Sequence, residues 1–134
     1  FKAASQVKLV ASQPADWDRQ KAIDTAASML QSNPNLKAIY CCNDTMALGA
    51  LQAVKNAGKL GQILVVGTDG AAEALESVKA GELSATVAQN SAEIGATSLR
   101  RMIKSVKDGE KIDSNATAET IPVDSYVVTK DSAQ

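Results

Sequence analysis

The sequence contains no histidine. This removes the most common general base, the Ser-His-Asp and Cys-His nucleophilic arrangements, and zinc sites built on histidine. The absence therefore weighs against most hydrolase classes.

Aromatic residues and cysteines are also scarce. Only 3% of the residues are aromatic, and Trp17 is the single tryptophan. The two cysteines, Cys41 and Cys42, are adjacent, so a disulfide between them would be strained, and two ligands do not complete a metal site. We therefore predict plain buried thiols and neither a metal nor a cofactor.

No charge of either sign dominates the chain. It has 14 basic and 15 acidic residues, which gives a net charge of -1 and argues against a nucleic-acid or membrane surface. No apolar run approaches the ~20 residues of a membrane span. With 134 residues, 45% of them hydrophobic, the chain has the size and composition of one globular domain.

Short apolar runs alternate with helical patterns along the first two thirds of the chain. The runs Val7–Ala11, Leu36–Cys41 and Gln62–Gly67 predict strands buried on both faces. Apolar residues at helical spacing predict helices over 18–33, 44–57 and 71–80. Strands and helices that alternate in this way form βαβ units, so the predicted fold class is α/β with a parallel sheet and flanking helices.

The last third continues with a strand, a longer helix and a final strand. The strand is predicted over Ser84–Ala88, the helix over Asn90–Asp108 and the final strand over Val123–Thr129, after a polar stretch at 110–120. The helix carries an apolar stripe formed by Ile94, Leu99, Met102, Ile103 and Val106.

Polar or aromatic side chains follow four of the predicted strands. Open parallel sheets bind ligands beyond the carboxyl ends of their strands, where Trp17, Asn43, Asp69 and Gln89 lie. Carboxylates and amides pair with vicinal hydroxyls, and an indole ring stacks on the C–H face of a sugar. This chemistry suits a neutral polyol.

Each of these residues also has a structural explanation. Asn43 could cap the following helix, and Asp69 could be a turn residue or a helix cap. Gln89 could be a solvated loop amide, and Trp17 could cover a helix end as ordinary core. Residue types alone leave both sets of explanations open.

Four segments, in order, resemble successive motifs of the periplasmic ribose- and D-allose-binding proteins, which are type I periplasmic binding proteins. They span nearly the whole chain: residues 11–19 (ASQPADWDR), 43–50 (NDTMALGA), 65–70 (VVGTDG) and 85–91 (ATVAQNS).

The resemblance implies a sugar-binding role for four residues. Trp17 would stack on the sugar, and Asn43, Asp69 and Gln89 would bond its hydroxyls. Tryptophan in place of the phenylalanine that ribose binders often carry favours a hexose such as allose.

The resemblance also implies an incomplete two-lobed architecture. Residues 1–83 would form most of the second lobe, 84–109 would belong to the first lobe, and 110–134 would return to the second. The N-terminal half of the binding protein, which supplies the opposing wall of the cleft, would be missing, so the chain resembles a C-terminal half.

The implied function is solute capture for an ABC-type sugar importer, without catalysis. The expected partners are a monosaccharide, the membrane permease and a chemoreceptor, and the expected location is the periplasm or, as a lipid-anchored protein, the surface of a Gram-positive cell. The effector-binding core of a sugar-responsive transcriptional repressor is the alternative, although no basic DNA-binding segment is present. A small α/β enzyme or phosphoacceptor domain would need an acid cluster, a glycine-rich phosphate loop or a histidine, and we find none in the sequence.

Overall fold

The computed structural model describes residues 6–111, 113 and 115–132. Helices and strands alternate along these residues, as the sequence predicts. Their order is α1 (Arg19–Ser32), β1 (Ala38–Tyr40), α2 (Asp44–Asn56), β2 (Leu64–Asp69), α3 (Ala72–Lys79), β3 (Ala85–Gln89), α4 (Ser91–Lys107) and β4 (Ser125–Thr129).

Side-chain caps fix the starts of three helices. Asp18, Asn43 and Asn90 each accept a hydrogen bond from the backbone N–H three residues later, at 2.8, 2.8 and 3.2 Å. These bonds satisfy amide groups that a helix start leaves without an intrahelical partner. The predicted helix starts are therefore confirmed to within one or two residues.

The four strands form one sheet in the order β1-β2-β3-β4. β1 pairs in parallel with β2, with Tyr40 opposite Val66, and β2 pairs in parallel with β3, with Asp69 opposite Ala88. The predicted α/β class is confirmed by this arrangement.

The core lies where α2 packs against β2 and against α1. Ala47, Val54 and Val65 are fully buried there. On the other face of the sheet, Leu64 is 59% exposed and Tyr40 is 49% exposed. The prediction that these strands are buried on both faces is therefore wrong for β1 and the start of β2.

The strand predicted over Val7–Ala11 is not formed, because these residues have no regular secondary structure. Val7, Leu9 and Val10 are about half exposed, at 52%, 58% and 47%. A strand needs a neighbour to satisfy its backbone groups, and none of the described strands pairs with this segment.

The chain divides into two compact units. One runs up to Ala88 and resumes at Val127, and the other comprises Gln89–Tyr126. The first boundary follows Ala88, and β3 up to this residue is hydrogen-bonded to β2. The assignment of these units to lobes of a larger protein stays a prediction.

The second unit contains α4, which has no buried residue. All five residues of its apolar stripe are exposed, from 40% at Ile94 to 76% at Val106. None of the helices in the part of the chain that the structure describes is long and apolar enough to cross a membrane.

Candidate functional site

The carboxyl ends of β1 and β2 bring Asn43 and Asp69 to the same edge of the sheet. Tyr40 lies opposite Val66, and the backbone N–H of Cys41 donates to the Val66 carbonyl at 2.9 Å. Asn43 and Asp69 each follow this paired level by three residues. The predicted proximity of these two residues therefore follows from the strand register.

Asn43 is the N-cap of α2. Its Oδ1 accepts from the Met46 N–H at 2.8 Å, and the residue is partly buried. The capping role that the sequence left open is thus present. Because the cap uses the carbonyl oxygen, the amide NH₂ is the hydrogen-bond donor that Asn43 would offer a ligand.

Asp69 ends β2 in an unusual backbone conformation. Its φ is 122°, in a region that non-glycine residues rarely adopt, and Gly70 follows with a φ of 78°. The N-cap of α3 is Ala71, and it has no side-chain capping bond. Asp69 is therefore the exposed last residue of β2, directly before the turn, and not the cap of α3.

A buried carboxylate links the two strand ends. Asp44 is 1% exposed, and its Oδ2 accepts from the Ala71 N–H at 2.7 Å while its Oδ1 accepts from the Thr86 hydroxyl at 2.7 Å. The bond to Ala71 joins the residue after Asn43 to the turn that begins at Asp69. Sequence analysis did not single out Asp44.

Trp17 lies on a strained turn that leads into α1. Asp16 and Trp17 have φ values of 50° and 61°, and the Asp18 N–H donates to the Ala15 carbonyl at 2.9 Å. An ion pair of 2.8 Å joins Asp16 to Lys21. Trp17 is 66% exposed, so it is not part of the core.

Gln89 is the last residue of β3 and the first of the second unit. It is an exposed strand residue, so the alternative of a loop amide is wrong. The next residue, Asn90, caps α4 as described above.

A bidentate ion pair connects the starts of α1 and α3. The two terminal guanidinium nitrogens of Arg19, Nη1 and Nη2, donate to the two carboxylate oxygens of Glu73 at 2.9 and 2.6 Å. Hydrogen bonding to Glu73 raises the pKa of Arg19, and the same bond lowers the pKa of Glu73. Sequence spacing gives no signal for this pair, because its members are 54 residues apart.

The cysteines are free thiols, as predicted, but only one of them is shielded from solvent. Cys42 is exposed and Cys41 is partly buried. Burial, with a smaller contribution from Cys42, raises the pKa of Cys41 to about 11. Within the described ranges, no cluster of three or more His, Cys, Asp or Glu side chains is placed to hold a metal ion.

A groove of about 710 Å³ is lined by Val10, Ala11, Gln13 and Pro14 and by residues of α1 that include Asp24, Ser28 and Ser32. Trp17, Asn43 and Asp69 do not line it.

Comparison with known sequences gives matches over nearly the whole chain. Residues 1–111 match the family model of the periplasmic binding protein domain. The D-allose-binding periplasmic protein of Escherichia coli (strain K12) is 61% identical over 97% of this chain and 42% of its own length. The ribose import binding protein RbsB of Salmonella typhimurium is 41% identical over 96% of this chain and 41% of its own length.

The fold has close counterparts among solved structures. The ABC transporter periplasmic solute binding protein from Actinobacillus succinogenes 130z, crystallised with bound D-allose, has a TM-score of 0.86 at 35% identity. The match covers 99% of this chain and 45% of that one. The chain therefore spans less than half the length of each of these relatives.

Proposed function

Since the chain belongs to the periplasmic binding protein family, we propose that the protein containing it captures a monosaccharide in the periplasm for an ABC-type importer. The observation that carries this proposal is that Asn43 and Asp69 lie at the same edge of the sheet. Ribose, allose or a similar sugar is the proposed ligand, in keeping with the sugars named for the two sequence relatives and the bound D-allose of the structural one.

The side chains at this edge provide complementary chemistry for sugar hydroxyls. The Asp69 carboxylate accepts hydrogen bonds from two vicinal hydroxyls, and the Asn43 NH₂ donates to a hydroxyl oxygen. The side-chain amide of Gln89, the third proposed hydroxyl-binding residue, both donates and accepts. None of these roles requires a change of protonation state, so the proposed site binds without catalysis.

Trp17 would cover the apolar face of the sugar. A stacking residue must present its ring to the ligand instead of burying it in the core, and Trp17 is 66% exposed. Its left-handed backbone conformation also supports a binding role, because strained residues concentrate at functional sites.

The second wall of the cleft would come from the part of the protein outside this chain. Two apolar surfaces within the chain support a missing partner half. One consists of Val7, Leu9 and Val10, and the other is the exposed stripe of α4. The relatives are more than twice as long as the matched region, and a polypeptide of that length would supply enough chain to cover both surfaces.

Calorimetric titration of the full-length protein with D-allose, D-ribose and an unrelated amino acid tests the proposal. We expect micromolar or tighter binding of at least one sugar, and at least about tenfold weaker binding after Trp17→Ala. Tyr126→Ala, which removes another exposed aromatic side chain, is the matched control and should leave the affinity unchanged. Absence of sugar binding by the folded full-length protein would refute the proposal.

A further inference from the structure

Asp44 is a buried charged residue that the proposed sugar-binding set does not include. It is 1% exposed, and both carboxylate oxygens accept hydrogen bonds from residues distant in sequence. A buried carboxylate is costly unless it is hydrogen-bonded, so its two partners are strongly constrained in position. One partner, Ala71, lies in the turn after β2, and the other, Thr86, lies inside the sheet near the start of β3.

The bond to Ala71 acts on the backbone of the Asp69 turn. Asp69 and Gly70 both have positive φ, and such a conformation at a non-glycine residue persists only where the surroundings enforce it. The Ala71 N–H donates to Asp44 Oδ2 at 2.7 Å, which fixes the end of this turn. A Cβ atom at Gly70 would lie 2.6 Å from the Ala88 Cβ, so the turn also packs tightly against β3.

Asp44 itself has little freedom to move. It is the first residue of α2, whose start is held by the Asn43 cap, and Thr86 holds its other oxygen. Gly67 lies directly beneath the carboxylate, because a Cβ there would overlap with Oδ1 of Asp44. The same helix start therefore sets the position of Asn43 and, through Asp44, the backbone at Asp69.

We propose that Asp44 is a positioning residue for sugar binding. It does not touch the sugar, but holds the Asp69 turn in its strained conformation at a fixed position relative to Asn43. This inference rests on the proposed function, because it assigns Asp44 a role in orienting Asp69, one of the proposed sugar-binding residues.

A double-mutant cycle in the full-length protein separates this role from a purely structural one. Asp44→Ala is measured in the parent protein and in the Asp69→Ala background, by calorimetry with the sugar that the wild type binds. If Asp44 acts through Asp69, its removal should weaken binding at least about tenfold in the parent but less than about threefold when Asp69 is already absent. Val54→Ala truncates a buried residue of the same helix and leaves a cavity, so it is the control for lost stability. Its sugar affinity should stay within about threefold of the parent value.

If Asp44→Ala fails to fold, a second variant removes the same hydrogen bond from its other side. Ala71→Pro deletes the donated N–H while Asp44 stays in place, and the φ of -62° at Ala71 suits proline. It should reproduce the loss of at least about tenfold in affinity and the same dependence on Asp69.

Equal losses in the two backgrounds, or unchanged affinity on removal of either partner of the bond, would overturn the positioning role alone. Unchanged affinity in Asp69→Ala by itself would instead overturn the proposed sugar site, and the inference about Asp44 with it.

Discussion

The carboxylate of Asp44 occupies the space that a side chain at position 67 would need. Gly67 lies in the interior of β2, and a Cβ atom there would overlap with Oδ1 of Asp44 and lie 3.0 Å from the Ala47 Cβ. Glycine weakens a strand, so its place in a buried strand is explained by this close approach.

We expect Gly67→Ala to destabilise the protein. The added methyl group meets a carboxylate held by two hydrogen bonds, and overpacking of this kind costs about 1–3 kcal/mol. Urea denaturation followed by circular dichroism measures the change. Gly95→Ala is the control, because that glycine lies in α4 with open space around the Cβ position and should gain about 0.5–1 kcal/mol. Equal stability of the two variants would contradict the prediction.

In the full-length protein, Asp69→Ala should reduce the free energy of sugar binding more than it reduces the free energy of unfolding. Loss of charged hydrogen bonds, worth roughly 1.5–3 kcal/mol each, predicts at least a tenfold weaker affinity. Because Asp69 is exposed and does not cap α3, the midpoint of unfolding should change little. Calorimetry and denaturation of the same variant provide the two measurements.

The control for Asp69 is another exposed acid. Glu76→Ala removes a carboxylate on α3 whose pairing with Lys79 spans 3.6 Å, and it should leave the affinity intact. Unchanged affinity of the Asp69 variant with a lowered unfolding midpoint would remove Asp69 from the binding site.

Cys42 should react with alkylating agents well before Cys41. Burial raises the pKa of Cys41 to about 11, so its reactive thiolate is scarce at pH 8 and becomes more abundant as the pH rises towards that value. Cys42 is exposed. Peptide mass mapping after brief iodoacetamide treatment should find Cys42 labelled in the native protein at pH 8 and both residues labelled after denaturation. Equal native labelling would show that Cys41 is not protected.

Local signals in the sequence predicted most of the elements. Helical spacing predicted the helices, and the structure shows that Asp18, Asn43 and Asn90 cap three of them through bonds that act within three residues. The prediction of a strand over 7–11 was wrong, because an apolar run carries no information about its pairing partner. The strands that did form also expose Leu64 and Tyr40, which shows that apolarity alone does not predict cover on both faces.

The candidate site was predictable to the extent that parallel topology determines it. Asn43 and Asp69 follow strands that pair in parallel, so their shared edge could be inferred before the structure. The role of Asp44 could not, because its partners Ala71 and Thr86 are 27 and 42 residues away. The strand predicted over 62–67 ended at Gly67, and only the observed β2 places this glycine inside a strand, where it indicates close approach by another group.

The stripe of α4 leads to the final prediction, which concerns the isolated 134-residue chain. Five large apolar side chains on one face of this helix are 40–76% exposed, and burial of each is worth about 1.5–3 kcal/mol when complete. In the absence of the proposed N-terminal half, another copy of the chain is the apolar surface available to cover the stripe. We therefore expect the isolated chain to sediment as a dimer or larger species at micromolar concentration.

Substitutions on the two faces of α4 distinguish association through the apolar stripe from nonspecific association. Leu99→Gln with Met102→Gln replaces two residues of the stripe by a residue of similar helix propensity, so the helix should persist while the sedimentation coefficient falls towards the monomer value. Arg100→Gln with Lys104→Gln makes the same replacement on the polar face and should leave association unchanged. If the unaltered chain is a monodisperse monomer whose helix content by circular dichroism includes the 17 residues of α4, then the apolar stripe is stable in contact with water. The proposal that another half of the protein covers this chain would then rest on Val7, Leu9 and Val10 alone.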